Sequence, residues 1–348
     1  MLFTTLGMFI IDRIEYRDGS VVDDIVGGAG TFALYGARTF AGGELAGRVG
    51  WIVDAGHDFP PDLRRQLDAL GSAMLFRVDS GRKTTRGWNG YGEHELRLFR
   101  YLTPKRQLVA ADVVGTPLGA ARAVHLVCSA ARARELALEL RRTRPSSAAQ
   151  LIVWEPVPAL CTPAELTATL EVLELVDVLS PNAQEMAGLF GLDEPLVEGP
   201  DADAAEAVLE ALADRALPSF GRGRLAAVIV RCGARGCLVS SAAGHRWLPS
   251  YHLVAAAAAG PAGPVVDTTG AGNTFMGGLA VGLARHGPAA LLLAAVYGLV
   301  AASLAVEQLG PPALAYTDAG ETWNGAPVAA RLDAYLAHTG LPGPDTFN

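Results

Sequence analysis

The chain has 348 residues, half of them hydrophobic, which excludes a disordered polymer and allows one large domain or two ordinary ones. Its formal net charge of −8 argues against nucleic acid as a partner, though ATP needs only a local positive field. Four scattered cysteines (Cys128, Cys161, Cys232, Cys237) lack zinc-site spacing and fit a reduced, cytoplasmic protein.

Leu2 to Ile11 is an apolar run that reads as a first β-strand. It has neither a basic n-region nor a small-residue cleavage pattern, so it does not read as a signal peptide. Asp18-Gly19 is a turn signal between Arg13–Tyr16 and Val21–Ile25, predicting a hairpin that stands out from the main sheet. Gly27-Gly28-Ala29-Gly30 opens a helix running through Ala37. A strand follows at Trp51–Val53 and a helix at Pro61–Leu70. Residues 84–110 carry Trp88, Tyr91, Phe99 and Tyr101 among charged residues and are expected to pair with the first hairpin.

The rest alternates. Strands are predicted at Val124–Cys128, Leu151–Trp154, Val176–Leu179 and Ala227–Arg231. Helices are predicted at Ala131–Arg142, Pro163–Leu173, Ala183–Phe190 and Ala204–Arg215, the last with Asp203 as a possible N-cap. Such alternation predicts a mainly parallel sheet covered on both faces. The tract Ala255–Gly263 reads as a loop and Leu341–Asn348 as a flexible tail. Gly287–Val306 has no charged residue and is long enough to span a membrane. Its alanine content and Gly287-Pro288 opening favour a buried helix, so no membrane partner is expected.

The most informative segment is Val265-Val266-Asp267-Thr268-Thr269-Gly270-Ala271-Gly272-Asn273-Thr274-Phe275. It reads as an apolar strand ending at Asp267, a turn of small residues, then a helix from about Asn273 to Ala284. Free N–H groups at a helix start, approached closely past glycines, suit a phosphate. An ordinary glycine-rich strand–helix turn has the same spacing, and the two readings stay open on this segment alone.

Asp267-Thr268-Thr269-Gly270-Ala271-Gly272-Asn273 resembles the second signature of the PfkB, or ribokinase-like, carbohydrate kinases, normally Asp-Thr-x-Gly-Ala-Gly-Asp. Ser180-Pro181-Asn182-Ala183-Gln184-Glu185 is similar to the family's Asn-x-x-Glu segment. Val228 to Gly236 resembles its nucleotide-facing strand and glycine turn, and Gly27-Gly28 its first signature. Asp12 falls where the family keeps a sugar-binding aspartate. The resemblance spans about residues 5 to 310. It implies a ribokinase-like α/β three-layer sandwich with a central, mainly parallel sheet and a small β lid. Residues 1–340 are expected to form one domain, with lid strands from about 12–26 and 84–110.

The resemblance also implies transfer of the ATP γ-phosphoryl group to a hydroxyl of a sugar, nucleoside or similar small acceptor. Gly270, Ala271 and Gly272 would form the anion hole, and position 273 would hold the proton acceptor. Asp12, Gly27, Gly28, position 32 and Glu155 would face the acceptor. Arg231, Gly233, Asp267 and Thr269 would fall on the ATP side. Asn182 and Glu185 would organise Mg2+ mainly through water, and a monovalent cation is a further cofactor the resemblance allows. Two lids would meet in a homodimer. Bland readings stand beside several of these: a helix capping box for Asn182 and Glu185, solvated charge for Arg231 and Arg235, and a loop glutamate for Glu155.

Two positions depart from the family pattern. Asn273 stands where it has aspartate, and a carboxamide takes no proton near neutral pH. Phe32 stands where its sugar binders often carry asparagine, and a phenyl ring cannot hydrogen-bond a sugar hydroxyl. The expectation is a nucleotide-binding protein with impaired chemistry, the alternative a pseudokinase that serves as a binding or scaffold protein.

Overall fold

The computed structural model describes all residues except 16–17, 92–96, 144–149, 193–201, 259, 319 and 348. Parts of four predicted segments therefore lie outside the described residues: Tyr16 of the hairpin, the middle of the aromatic stretch, residue 259 of the tract Ala255–Gly263 and Asn348 of the tail.

The strands run in chain order β1 (Phe3–Thr5), β2 (Ile10–Glu15), β3 (Val21–Gly27), β4 (Val49–Gly56) and β5 (Ala73–Asp79). Next come β6 (Arg86–Tyr91), β7 (Arg97–Tyr101), β8 (Ala123–Val127), β9 (Leu151–Glu155) and β10 (Val178–Leu179). The last are β11 (Ala227–Arg231), β12 (Cys237–Ser241), β13 (Gly244–Leu248), β14 (Leu314–Thr317) and β15 (Gly320–Trp323). Nine of them form one sheet in the order β13-β12-β11-β10-β9-β8-β1-β4-β5. Pairing is parallel from β11 through to β5, and β12 and β13 close one edge antiparallel. Helices Ala29–Leu45 and Ala271–His286 pack over β1, β4, β8 and β9, and helix Ala202–Ala216 packs on β11 and β12.

Strands buried on both faces read as near-continuous apolar runs, and β4, β8, β9 and β11 do so. From β1 the chain steps outward to β4 and β5, then returns to the far side of β1 and continues through β8, β9, β10 and β11. The order reverses beside β1. In open α/β sheets a reversal opens a crevice at the strand C-termini, where ligands bind.

The segment read as one strand over Leu2–Ile11 is two strands of different sheets. β1 lies in the main sheet, whereas β2 leaves it to form a four-stranded lid in the order β3-β2-β6-β7. The break falls at Gly7, where a Cβ would stand 2.6 Å from the Gly30 nitrogen. Lid pairing is antiparallel for β2–β3 and β6–β7 and parallel for β2–β6, so within 84–110 it is β6 that pairs with the first hairpin and β7 that extends the sheet.

Other segments also differ from expectation. Val265–Asp267 is not a strand: the amides of Val266 and Asp267 bond the Val306 carbonyl at the end of helix Leu291–Ala305. Ala255–Ala258, read as loop, completes helix Tyr251–Ala258. Asp203 lies inside its helix, not at the cap. The tail read as flexible forms a 3-10 turn at Pro344–Phe347, with Phe347 resting on the core. The apolar run Pro288–Ala305 is long enough to cross a membrane and is mostly buried within the fold. All four cysteines are free and buried.

Candidate active site

Three elements of the sheet deliver side chains to one point at its C-terminal edge. Glu155 ends β9, Arg231 ends β11, and Asn182 follows β10 and bridges to Arg231. The N-terminus of helix Ala271–His286 faces them. Its N-cap, Gly270, has φ 78°, a left-handed value that costs glycine nothing. A side chain there would also collide with Phe32, whose Cδ1 lies 2.3 Å from the Cβ position.

The turn is ordered from within. Asp267 Oδ1 accepts the Thr269 amide at 3.0 Å, and the Ala271 amide is given to the Thr268 carbonyl at 3.2 Å. The Thr274 amide closes the first helical bond, to the Gly270 carbonyl at 2.8 Å. Of the residues expected to form the anion hole, Ala271 thus has its amide taken up within the turn; the Gly272 amide, and that of Asn273 beside it, lie in the first helical turn without an intrahelical acceptor.

Beneath this turn lies a buried charge network. Glu155 is 7% exposed. Its Oε1 pairs with Arg231 Nη1 at 2.9 Å, and its Oε2 accepts from Asn273 Nδ2 at 2.7 Å and lies 3.4 Å from His125 Nε2. The carboxylate fixes the amide's orientation, since turning it over would set oxygen against oxygen. Burial pushes the Glu155 carboxyl up, but Arg231, His125 and Asn273 outweigh it and hold the group below its usual range.

Glu185 is the second acid. Its Oε2 accepts the Asn182 amide at 2.8 Å and its Oε1 accepts Asn182 Nδ2 at 2.9 Å, while Asn182 Oδ1 accepts the Glu185 amide at 2.7 Å. This is the capping box read from the sequence. Arg231 Nη2 reaches Glu185 Oε2 at 3.4 Å. Burial raises Glu185 to about 7, against the opposing pull of Arg231.

Two cavities meet at the turn. The larger, about 490 Å³, is lined by Asn182, Arg231, Gly233, Thr268, Ala271 and Gly272, with an apolar wall that includes Leu253, Val265 and Leu299. The smaller, about 170 Å³, is lined by Ile10, Asp12, Gly28, Phe32, Phe99 and Asn273, together with Thr269 and Gly270. The turn is therefore the wall that the two cavities share.

Several expected residues sit elsewhere. Thr269 faces the smaller cavity, not the larger. Glu155 lines neither, lying under Asn273. Gly27 makes room for Asp12, whose Oδ2 would stand 1.9 Å from a Cβ there. Arg235, for which solvated charge is the bland reading, instead pairs with Glu206 and lies over the Trp247 ring. His125, which no sequence motif marked, is fully buried and shares a hydrogen bond with Thr5 Oγ1 through Nδ1 at 3.0 Å.

Residues 123–317 match the model of the pfkB family of carbohydrate kinases. The chain belongs to the pfkB family. It is 35% identical to Protein MAK32 of Saccharomyces cerevisiae, over 98% of this chain and 93% of that protein. Among solved structures, ribokinase from Giardia lamblia superposes with a TM-score of 0.70 at 18% identity, covering 97% of this chain and 99% of that one. Ribokinase from Cryptococcus neoformans in complex with ADP gives 0.62 at 20% identity, over 89% and 94%. At these identities the likeness is one of fold, and it is the ribokinase-like fold.

Direct ligation of Mg2+ by Asn182 and Glu185 does not fit these residues as they stand. Both Glu185 oxygens hold Asn182 donors, and Arg231 stands where a cation would approach. Among the described residues no three His, Cys, Asp or Glu side chains are grouped to hold a metal.

Proposed function

We propose that this pfkB-family protein binds ATP in the larger cavity and a small hydroxylated acceptor in the smaller one, with phosphoryl transfer between them impaired. The amides of Gly272 and Asn273 face the junction and suit a phosphate oxygen. The apolar wall at Leu253, Val265 and Leu299 suits the face of a base, and explains why Val265 is left 59% exposed. The ADP bound by the Cryptococcus ribokinase supports a nucleotide as the ligand.

One observation carries the impairment: Asn273 donates its Nδ2 to Glu155 and presents no carboxylate to the acceptor. Glu155 cannot serve in its place. It lines neither cavity, and Arg231 and His125 hold its proton affinity down. Loss of a general base lowers rate by about 10²–10⁴-fold. Positioning and charge stabilisation remain, and they supply most of the catalysis of phosphoryl transfer.

Calorimetric titration with ATP, alongside ADP release measured across sugars, nucleosides and vitamins, tests the reading. Heat of ATP binding with little or no release is expected. Rapid release with any acceptor would refute the impairment, and absence of binding would refute the nucleotide.

A second reading, a binding or scaffold protein, draws on the acceptor cavity itself. At about 170 Å³, with Phe32 and Phe99 in its wall, it is smaller than the roughly 300–1,000 Å³ usual for small-molecule sites. Acceptors that perturb neither ATP binding nor melting temperature would favour that reading. Exposed Tyr101 and Leu102 at the end of β7 support lid-to-lid pairing of two copies, which sedimentation velocity would detect. The buried free thiols support a reducing, cytoplasmic setting.

A further inference from the structure

The acid pair beneath the turn already has a cation. Arg231 extends one arm to each carboxylate, Nη1 to Glu155 Oε1 at 2.9 Å and Nη2 to Glu185 Oε2 at 3.4 Å. Nη2 also donates to the Ser180 carbonyl at 3.0 Å. Both acids are buried, at 7% and 6% exposure. Two such charges in a low-dielectric interior demand a positive partner. The guanidinium supplies it permanently, because arginine does not deprotonate in proteins.

All four carboxylate oxygens carry a donor. Glu155 Oε1 holds Arg231 and Oε2 holds Asn273. Glu185 Oε2 holds the Asn182 amide and Oε1 holds Asn182 Nδ2. Mg2+ requires near-octahedral oxygens at about 2.0–2.1 Å and sheds water reluctantly. An ion bound directly would have to displace these donors, and one held through its own water would still meet the fixed charge of Arg231, which spans both acids.

The guanidinium is also placed to act on a ligand. It lies against Gly272, where a Cβ would stand 1.9 Å from Nη1, and Arg231 lines the larger cavity. Its Nε has no hydrogen-bond partner among the described residues.

We infer that Arg231 is the resident cation of this site, replacing a site-held divalent ion, so that the polyphosphate chain of the nucleotide is bound without one. The ligand half rests on the nucleotide-binding reading above; the cation half does not. Arginine then complements the Gly272 and Asn273 amides with one fixed charge.

The cation half is tested without nucleotide by Mn2+ binding, read from the free-ion electron paramagnetic resonance signal. The unaltered chain is expected to take up no Mn2+. Arg231→Ser, which leaves the two acids facing each other with room between, is expected to take up one, and Arg231→Ser with Glu185→Gln none. Stoichiometric Mn2+ on the unaltered chain that Glu185→Gln abolishes would overturn the inference. So would a folded Arg231→Ser variant that takes up none. The ligand half is read on the unaltered protein, which keeps the test decisive if Arg231→Ser does not fold. ATP affinity in EDTA and in excess Mg2+ is expected to agree within about threefold, and a tightening of more than about tenfold by Mg2+ would overturn the inference. If ATP binds under neither condition, the nucleotide reading falls and the Mn2+ measurement alone decides.

Discussion

Replacing the Asn273 carboxamide by a carboxylate sets two acids one hydrogen bond apart, because Nδ2 stands 2.7 Å from Glu155 Oε2. They cannot both ionise freely. Arg231 and His125 keep the charge on Glu155, so the new aspartic acid takes the proton and its own pKa rises above the usual value of about 3.9. It becomes a base only once ionised. Asn273→Asp is therefore expected to gain turnover as pH rises through that raised pKa, reaching about 10²–10⁴ times the rate of the unaltered chain. Coupled ADP release from pH 5 to 9 checks it, and a flat profile with no gain would show that the missing base is not what limits the chemistry. The sequence exposed this position because a single residue departs from a contiguous motif. It did not expose the Glu155–Arg231–Glu185 chain, whose members end or follow three different strands and meet only once the sheet has formed. Nor did it expose His125, since an isolated histidine in an apolar strand carries no pattern of its own.

Two helices carry walls of the smaller cavity, and they touch backbone to backbone. Helix Ala29–Leu45 bears Phe32, and helix Ala271–His286 bears Asn273. A Cβ on Gly277 would lie 2.0 Å from the Ala33 carbonyl oxygen, and one on Gly36 would lie 2.0 Å from that of Thr274. Propensity alone says alanine should stabilise a helix interior over glycine by about 0.5–1 kcal/mol. Here the opposing atoms are main chain and cannot swing aside, so the helices must separate, and overpacking of this kind costs about 1–3 kcal/mol. Gly277→Ala is thus expected to destabilise, measured as a lower urea midpoint at unchanged slope. A raised midpoint would show that the contact yields. These glycines were visible in the sequence, but their reason was not, because helix separation is a tertiary quantity. The same limit explains two misread strands. Leu2–Ile11 is uncharged and mostly apolar since both the sheet and the lid bury it, and hydrophobicity cannot say where one ends. Val265–Val266 is apolar as cavity wall rather than as sheet core. The alternating units from Val124 to Arg231 were legible because parallel strands buried on both faces leave long apolar runs between amphipathic helices.

Beyond residue 317, where the family match stops, the C-terminal segment is fastened to the core by buried charge. Arg38, fully buried, donates to both oxygens of Glu321, at 3.0 and 2.6 Å, and to the Leu70 carbonyl. Further along, Glu307 accepts from both Nη atoms of Arg331, at 2.8 Å each, from Asn324 Nδ2 at 2.9 Å and from the Gly263 amide at 2.8 Å. One carboxylate thereby joins the end of helix Leu291–Ala305, the loop before the Gly270 turn, the turn after β15 and helix Val328–Thr339. Burial alone would raise the Glu307 carboxyl, but His252, Arg331, Asn324 and Gly263 together hold it far below the usual range. A carboxylate depressed in the folded state stabilises fully above its unfolded value of about 4.3, and that stability is lost as pH falls through the folded one. The unaltered chain should therefore lose stability steeply on acidification below about pH 4. Glu307→Gln removes the charge opposite Arg331, which is itself 2% exposed. Breaking a buried pair from one side costs about 3–5 kcal/mol. The variant is expected to be less stable at pH 7 by that order and to lose less on further acidification. Urea denaturation from pH 3 to 7 measures both slopes, and parallel curves for the two proteins would show that Glu307 does not carry the acid sensitivity of the fold.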